Sequence, residues 1–378
     1  MKELGIYIHI PFCKSKCYYC DFKSFPDKLD LIDNYIYYLK KEIDMYSRLL
    51  KDYVVKTIFI GGGTPSILEG KYIYEIYSCL YGKMNLNELE EFTIETNPKT
   101  LDDEKLKVYK EININRVSIG AQTLNDKLLK RIGRIHNTMD FYKSYELIRK
   151  WGFRNVNVDI MFNLPNQTLE NVIETLNKVA VLGVEHISFY SLKLEEGTRF
   201  YKEYLKSKLE LPDEDEEREM YHKGIETLEQ RGYSHYEISN FAKEGYECNH
   251  NLLYWKVKPY LGLGLAAHSN INSIRYNNYN NFKSYFHSLD KRMLPIEEKE
   301  KIHKKIEMAE YMILGLRLIQ GINKKEFYNR FEIDVDEIYG EILRKLMEQG
   351  LLITNNNSIK LTKLGLDLSN IVFRELLS

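Results

Sequence analysis

Two periods of apolar residues alternate through the first half of the chain. Short runs rich in β-branched and aromatic residues recur at 5–10, 54–60, 91–95, 116–119, 155–161 and 185–190, and each predicts a buried strand. Between them apolar positions fall at helical spacing, most plainly over 31–50 and 124–131. Strands alternating with helices predict a parallel α/β sheet with crossover connections. Eight such units close a barrel, so six predict a partial, TIM-like (βα)6 barrel. Reactive groups in parallel α/β folds gather at the carboxyl ends of the strands. The residues after each run therefore carry the functional reading.

From about residue 301 the pattern changes. Positions 307–317 read as an apolar helix with Gly315 inside it, and 326–331 and 338–350 as two more, the last stopped by Gly350. Apolar stretches at 351–354 and 359–362 flank a polar turn and predict a two-stranded wing. The expected organisation is a barrel over 1–235, a connecting segment over 236–300, and a smaller α+β winged-helix-like domain over 301–378. A winged helix often reads DNA, but 54 Lys and Arg against 55 Asp and Glu give a net charge of −1. No basic field favours nucleic acid. The longest apolar runs fall short of the roughly 20 residues that span a bilayer, so a cytoplasmic protein is expected. Peripheral membrane contact and a homodimer remain compatible with this reading.

The first strand runs into Cys13, Cys17 and Cys20. Three thiolates in one loop at C-x3-C-x2-C spacing can wrap a [4Fe-4S] cubane and leave its fourth iron open. This is the spacing by which radical S-adenosylmethionine (SAM) proteins hold SAM, and cluster potentials reach low enough to reduce it. A structural zinc site would bring four Cys or His ligands, and no second cluster exists. A disulfide is not expected, because the cysteines number five and no signal peptide is evident. Cys79 lies in an apolar helical stretch and reads as packing.

The other strand ends are polar as well. The second leads into Gly61-Gly62-Gly63-Thr64-Pro65, where backbone can approach a ligand closely. The third ends in Glu95-Thr96-Asn97-Pro98, and the fourth in Gly120-Ala121-Gln122, followed by a helix to Arg134 and His136. Asp159 lies on the fifth, ahead of Asn163-Leu164-Pro165-Asn166-Gln167-Thr168, and the sixth closes with Tyr190-Ser191-Leu192. Capping explains any one of these residues as well as function does. It does not explain their gathering at one rim.

Together the Ile-Pro-Phe-Cys13, Gly-Gly-Gly63-Thr-Pro, Glu95-Thr-Asn-Pro and Leu164-Pro-Asn-Gln-Thr motifs resemble radical SAM proteins of the oxygen-independent coproporphyrinogen III oxidase family. The chain is most similar to the heme-chaperone branch, from residue 5 to the C-terminus. The resemblance implies that Cys13, Cys17 and Cys20 hold the cluster and that Gly62, Gly63 and Thr64 line the amino group of SAM. It implies Glu95 and Asp159 as SAM-contacting acids, Gln122 as a ribose contact and Arg134 as partner of the carboxylate, a role that suits a planar guanidinium. Tyr7, Tyr19 and Leu192 match flanking positions around the cluster and adenine. Asn163 departs from the family's glycine, but Asn tolerates a left-handed backbone, so the turn is expected to form.

Two features bear on chaperone against oxidase. The family's oxidases carry a fourth cysteine where this chain has Phe22, and an N-terminal extension ahead of a cluster that here begins at residue 13. The second feature is Cys248-Asn-His250-Asn-Leu-Leu-Tyr254-Trp255, which resembles a motif of the chaperone branch associated with heme. An imidazole can ligate heme iron, and Tyr254 and Trp255 can stack on a macrocycle. His250 is thus the expected heme residue, with Cys248 and His268 as alternatives and a structural histidine as the bland reading. The expected cofactors are the cluster, SAM and heme, and the expected partners are recipient hemoproteins such as respiratory enzymes. The competing reading is oxidative decarboxylation of coproporphyrinogen III to protoporphyrinogen IX, with radical cleavage of heme as a third.

Overall fold

A computed structural model describes residues 1–377. All six predicted strands form: β1 (Lys2–Ile10), β2 (Tyr53–Gly62), β3 (Glu91–Thr96), β4 (Arg116–Gln122), β5 (Val156–Phe162) and β6 (His186–Ser191). They pair in parallel in sequence order. Six further strands continue the same sheet: β7 (Ser234–Glu237), β8 (Asn240–Ala242), β9 (Tyr260–Leu263), β10 (His268–Ile271), β11 (Ile274–Asn278) and β12 (Ile296–Lys301). β9 lies parallel to β1 and is a seventh parallel strand. β10 to β12 extend that edge antiparallel, and β8 and β7 extend the edge beyond β6. The expected connecting segment thus adds strands to the sheet, around the helices Asn249–Trp255 and Phe282–Asp290. Its Gly262 and Gly264 break the apolar run and hide the strand in the sequence.

Strand alternation sorts the side chains into two shells. Ile6, Ile8, Ile58, Ile60, Phe92, Ile94, Val117, Ile119, Val156 and Val158 join one apolar core with the helices outside the barrel. The intervening positions are polar and buried: His9, Thr57, Glu91, Thr93, Arg116, Ser118 and Asn157. The barrel interior is therefore a hydrogen-bonded polar assembly, which the parallel strands enclose and the helices shield.

The smaller domain has its own core, including Met312, Phe327, Phe331, Leu343, Leu346 and Ile359. Helices Lys304–Gly315, Lys324–Phe331 and Val335–Glu348 form, with Gly315 ending the first rather than sitting inside it. A Cβ at Gly315 would meet Ile322 at 2.9 Å, so the glycine admits the next strand. That strand, β13 (Ile322–Asn323), pairs with the wing made by β14 (Leu352–Thr354) and β15 (Ser358–Leu361). Leu318 bridges Glu237 at the sheet edge, and buried Glu237 accepts from the Arg317 guanidinium at 3.3 Å. Among the described residues no helix is long and apolar enough to cross a membrane.

One buried acid ties the new edge to the barrel. Glu42, on helix Ile32–Ser47, accepts from Gly264 N–H at 2.8 Å, Tyr285 Oη at 2.6 Å and Asn278 Nδ2 at 2.7 Å. Glu42→Ala is expected to orphan three buried donors, each costing about 1–3 kcal/mol, visible as a lower urea midpoint. Burial raises the carboxyl from its usual 4.5 to about 7 against the pull of these donors. A folded value above the unfolded one gives stability that is full below the unfolded pKa and declines as pH rises through the folded one. The gap between wild type and variant should therefore widen on acidification from pH 8 to 5. A gap that narrows contradicts the assignment.

Candidate functional site

Cys13, Cys17 and Cys20 line a cavity of about 250 Å3 at the carboxyl ends of the strands. The loop is fastened by Cys20 N–H to Cys17 C=O at 3.2 Å, Tyr18 N–H to Ile132 C=O at 3.1 Å and Phe200 N–H to Tyr18 C=O at 2.9 Å. Cys13 Sγ lies 3.4 Å from Thr64 Oγ1. Arg134 Nη1 donates to Cys17 Sγ at 3.6 Å, while Nη2 donates to Asn97 Oδ1 and Gly120 C=O. Burial pushes the Cys13 thiol up, and burial followed by the neighbouring Cys17 pushes Cys20 up to about 11. Cations that hold thiolates lower such values. Among the described residues no three His, Cys, Asp or Glu converge as a single metal ion would need. Three thiols spread round one cavity, with a guanidinium beside one of them, fit an iron–sulfur cluster better than a mononuclear site.

The same cavity collects most of the residues expected to hold SAM: Tyr19, Gly62, Gly63, Thr64, Glu95, Gln122, Arg134 and Asp159. Gly62 N–H donates to Glu95 Oε2 at 3.1 Å. Burial, then the nearby Asp159, raises the Glu95 carboxyl to about 8. Burial raises Asp159 too, although Asn157 Nδ2 donates to it at 2.7 Å and Ser118 Oγ at 3.2 Å. Two buried acids with so little cationic compensation fit a cationic ligand. Gln122 accepts from Tyr190 Oη at 2.9 Å, its backbone left-handed at φ 66°. Asn163 adopts φ 61°, so the turn forms without glycine.

The glycines serve the walls as well as any ligand. Gly62 has φ 110°, and a Cβ there would meet the His9 ring at 2.4 Å; one at Gly63 would meet Phe12 C=O at 2.4 Å. Gly62→Ala is expected to cost about 1–3 kcal/mol in backbone strain and to weaken SAM binding by displacing the N–H that holds Glu95. Equilibrium dialysis beside thermal unfolding checks both; wild-type values in both contradict the account.

Two expected contacts lie elsewhere. Leu192 is buried in a small apolar cluster against which Tyr19 and Tyr190 pack, and it lines neither cavity. Tyr7 faces a second cavity of about 530 Å3 that shares Phe22, Gly62 and Glu95 with the first. Its walls include Tyr7, His9, Phe59, His250, Tyr254, Tyr260 and His268. Phe22 stands between the two, 60 % exposed. Trp255 is not part of this wall; its ring lies under Arg317, 4.2 Å from the guanidinium.

His250 is fully engaged by the protein itself. Its Nδ1 lies 2.7 Å from Thr57 Oγ1 and its Nε2 2.9 Å from Tyr254 Oη, and the ring stacks on Phe59. Burial, then the charge of Arg116, lowers it to about 3, so it is neutral. Cys248 is also buried: its thiol donates to Glu91 Oε1 at 3.4 Å, and burial pushes it up to about 12.

Glu91 is the residue that sequence reasoning missed. From the far end of β3 it accepts from Asn249 N–H at 2.8 Å and His250 N–H at 3.2 Å, capping the helix Asn249–Trp255 that carries the motif. The Glu91-Thr93-Glu95 alternation holds the signal, a polar face on a strand whose other face is Phe92 and Ile94. Asn97 and Tyr190, members of the polar strand-end strings, also line the first cavity.

The sequence profile of the Radical SAM superfamily matches residues 7–179, and that of the HemN C-terminal domain matches 302–368. The heme chaperone HemW of Lactococcus lactis subsp. lactis (strain IL1403) is 38% identical over 379 residues, covering 100% of this chain and 98% of its own. HemW of Bacillus subtilis (strain 168) is 38% identical, covering 97% of each. HemW of Escherichia coli (strain K12) is 37% identical over 272 residues, 72% of this chain and 71% of that one. Among solved structures, the radical SAM enzyme coproporphyrinogen III oxidase (HemN) of Escherichia coli superposes with a TM-score of 0.86. At 21% identity, covering 99% of this chain and 90% of that one, it shows the shared fold.

Proposed function

The chain belongs to the HemW family of radical SAM proteins, and from that premise we propose that it binds heme and delivers it to hemoproteins such as respiratory enzymes. The observation that carries this reading is the second cavity. Its volume, about 530 Å3, lies in the range of roughly 300–1,000 Å3 typical of cofactor sites, and aromatic rings line it for a flat apolar ligand. The motif helix forms part of its wall through His250, Asn251 and Tyr254.

Cys13, Cys17 and Cys20 hold a [4Fe-4S] cluster in this account, and Glu95, Gln122, Asp159 and Arg134 orient SAM beside it. When bound, the cluster supplies a low-potential electron to SAM. The protein's own part is positional: Arg134 fixes the cysteine loop to β4, and Glu95 reaches both cavities. The shared wall gives occupancy of one cavity a physical route to the affinity of the other. Phe22 replaces the cysteine that the family's oxidases carry, which favours carriage of heme over porphyrin synthesis.

Anaerobic titration of the reconstituted protein with hemin, with and without SAM, tests the reading. One heme per chain with a distinct Soret band is expected, its affinity altered by SAM. Absence of saturable binding contradicts it. Stoichiometric conversion of coproporphyrinogen III under the same conditions would instead favour the oxidase.

A further inference from the structure

Three imidazoles line the second cavity: His9, His250 and His268. Two have no nitrogen to spare. His9 Nδ1 is 3.0 Å from Tyr7 Oη and its Nε2 2.8 Å from Lys23 C=O. His250 is held by Thr57 and Tyr254. Ligation of iron by either ring requires breaking a buried hydrogen bond and leaving a buried hydroxyl or carbonyl unpaired. His268 stands apart: it is exposed at the cavity rim.

Its backbone is held where its ring is free. β10 starts at His268, which pairs with Asn277 of β11. On the other side the chain lies so close to β9 that a Cβ at Gly262 would meet His268 C=O at 2.1 Å. Gly262 N–H donates to Ser269 Oγ at 2.9 Å, closing that approach. A ligand carried on a pinned strand end, with an unengaged ring, meets the requirement for preorganised coordination. Neutral imidazole is the ligating form, and partial burial, then the nearby Arg275, lowers the pKa of His268. Lys23 is the one Lys or Arg among the lining residues and suits a carboxylate of the ligand.

We propose that His268 at the rim of the second cavity is the axial ligand of heme iron, and that His250 is a positioning residue that holds Tyr254 and the motif helix in the wall. This rests on the heme-binding reading above and assigns its iron ligand.

Hemin is titrated anaerobically into the full-length reconstituted wild type, His268→Ala and His250→Ala, with Soret absorption and EPR recorded and iron–sulfur content measured on each. His268→Ala is expected to shift the Soret band, alter the ferric EPR signal and lose at least about tenfold in affinity, the low end for disturbing a metal site. Its cluster content should be unchanged. His268→Gly with added imidazole should regain the wild-type band. His250→Ala should keep the wild-type band position, because its iron ligand is intact, whatever it loses in stability. A His268→Ala protein with the wild-type spectrum and affinity overturns the assignment, as does a band that moves in His250→Ala alone. Failure of the wild type to take up hemin stoichiometrically overturns the heme-binding reading itself.

Discussion

Simultaneous replacement of Cys13, Cys17 and Cys20 by alanine is expected to take reconstituted protein from about four irons per chain to background, the whole content of one cubane. The remaining cysteines cannot substitute. Cys248 is fully buried against Glu91, and Cys79 lies on the helix Gly70–Tyr81, where its thiol donates to Lys40 C=O at 3.7 Å. The fold should survive, because the loop is fastened by main-chain bonds of Tyr18 and Phe200 that involve no cysteine side chain. Iron and sulfide analysis with the charge-transfer absorption of the cluster reads the loss, and circular dichroism reads the fold. Hemin binding should persist in this variant, since none of the three cysteines lines the second cavity. A variant that keeps its cluster contradicts the assignment.

Glu91→Ala is expected to be among the most destabilising single substitutions in the barrel, by about 1–3 kcal/mol for each of the two helix-start N–H groups that lose their acceptor. Arg116 is 2 % exposed; burial disfavours its charge, while Cys248 and then the Glu91 carboxylate favour it. Removing that carboxylate also leaves Asn249 N–H and His250 N–H without partners at a helix start, where negative charge is favoured. The helix carrying His250 and Tyr254 should loosen, so hemin affinity falls along with stability. Denaturant unfolding and hemin titration report the two effects. Arg116→Met added to Glu91→Ala should recover part of the stability, because it removes a buried guanidinium that has lost a favourable carboxylate. A neutral Glu91→Ala contradicts the account.

Much of this is legible in the sequence. Parallel strands buried on both faces read as apolar runs, and turn residues after them mark the reactive rim, so the six strand positions and the residues gathered in the first cavity followed from pattern and motif. Boundaries moved by a few residues because strand ends run on into the loops they present; β2, for instance, extends to Gly62. The edge strands were not legible. β9 contains Gly262, whose missing side chain lets His268 approach, and a glycine chosen for that contact weakens the strand signal.

The division of labour among site residues was legible only in part. Nothing in the spacing of Tyr7 or Leu192 says which wall a side chain meets, and Tyr7 turned to the second cavity while Leu192 joined an apolar cluster. His250 drew attention as a histidine in a motif, yet its partners Thr57 and Tyr254 lie 193 residues before it and four after it. A hydrogen-bond partner that distant is set by tertiary packing. Glu91 was hidden for the same reason: its role is to cap a helix 158 residues further along.

Transfer of heme tests the central claim most directly. Protein loaded with one equivalent of hemin is separated from free heme and mixed with an apo-hemoprotein, and the Soret band of the recipient is followed against a parallel mixture with a heme scavenger. The account predicts that the recipient gains heme faster than the scavenger does, since delivery then occurs on contact rather than through release. Equal rates, or heme retained by the donor, would contradict it.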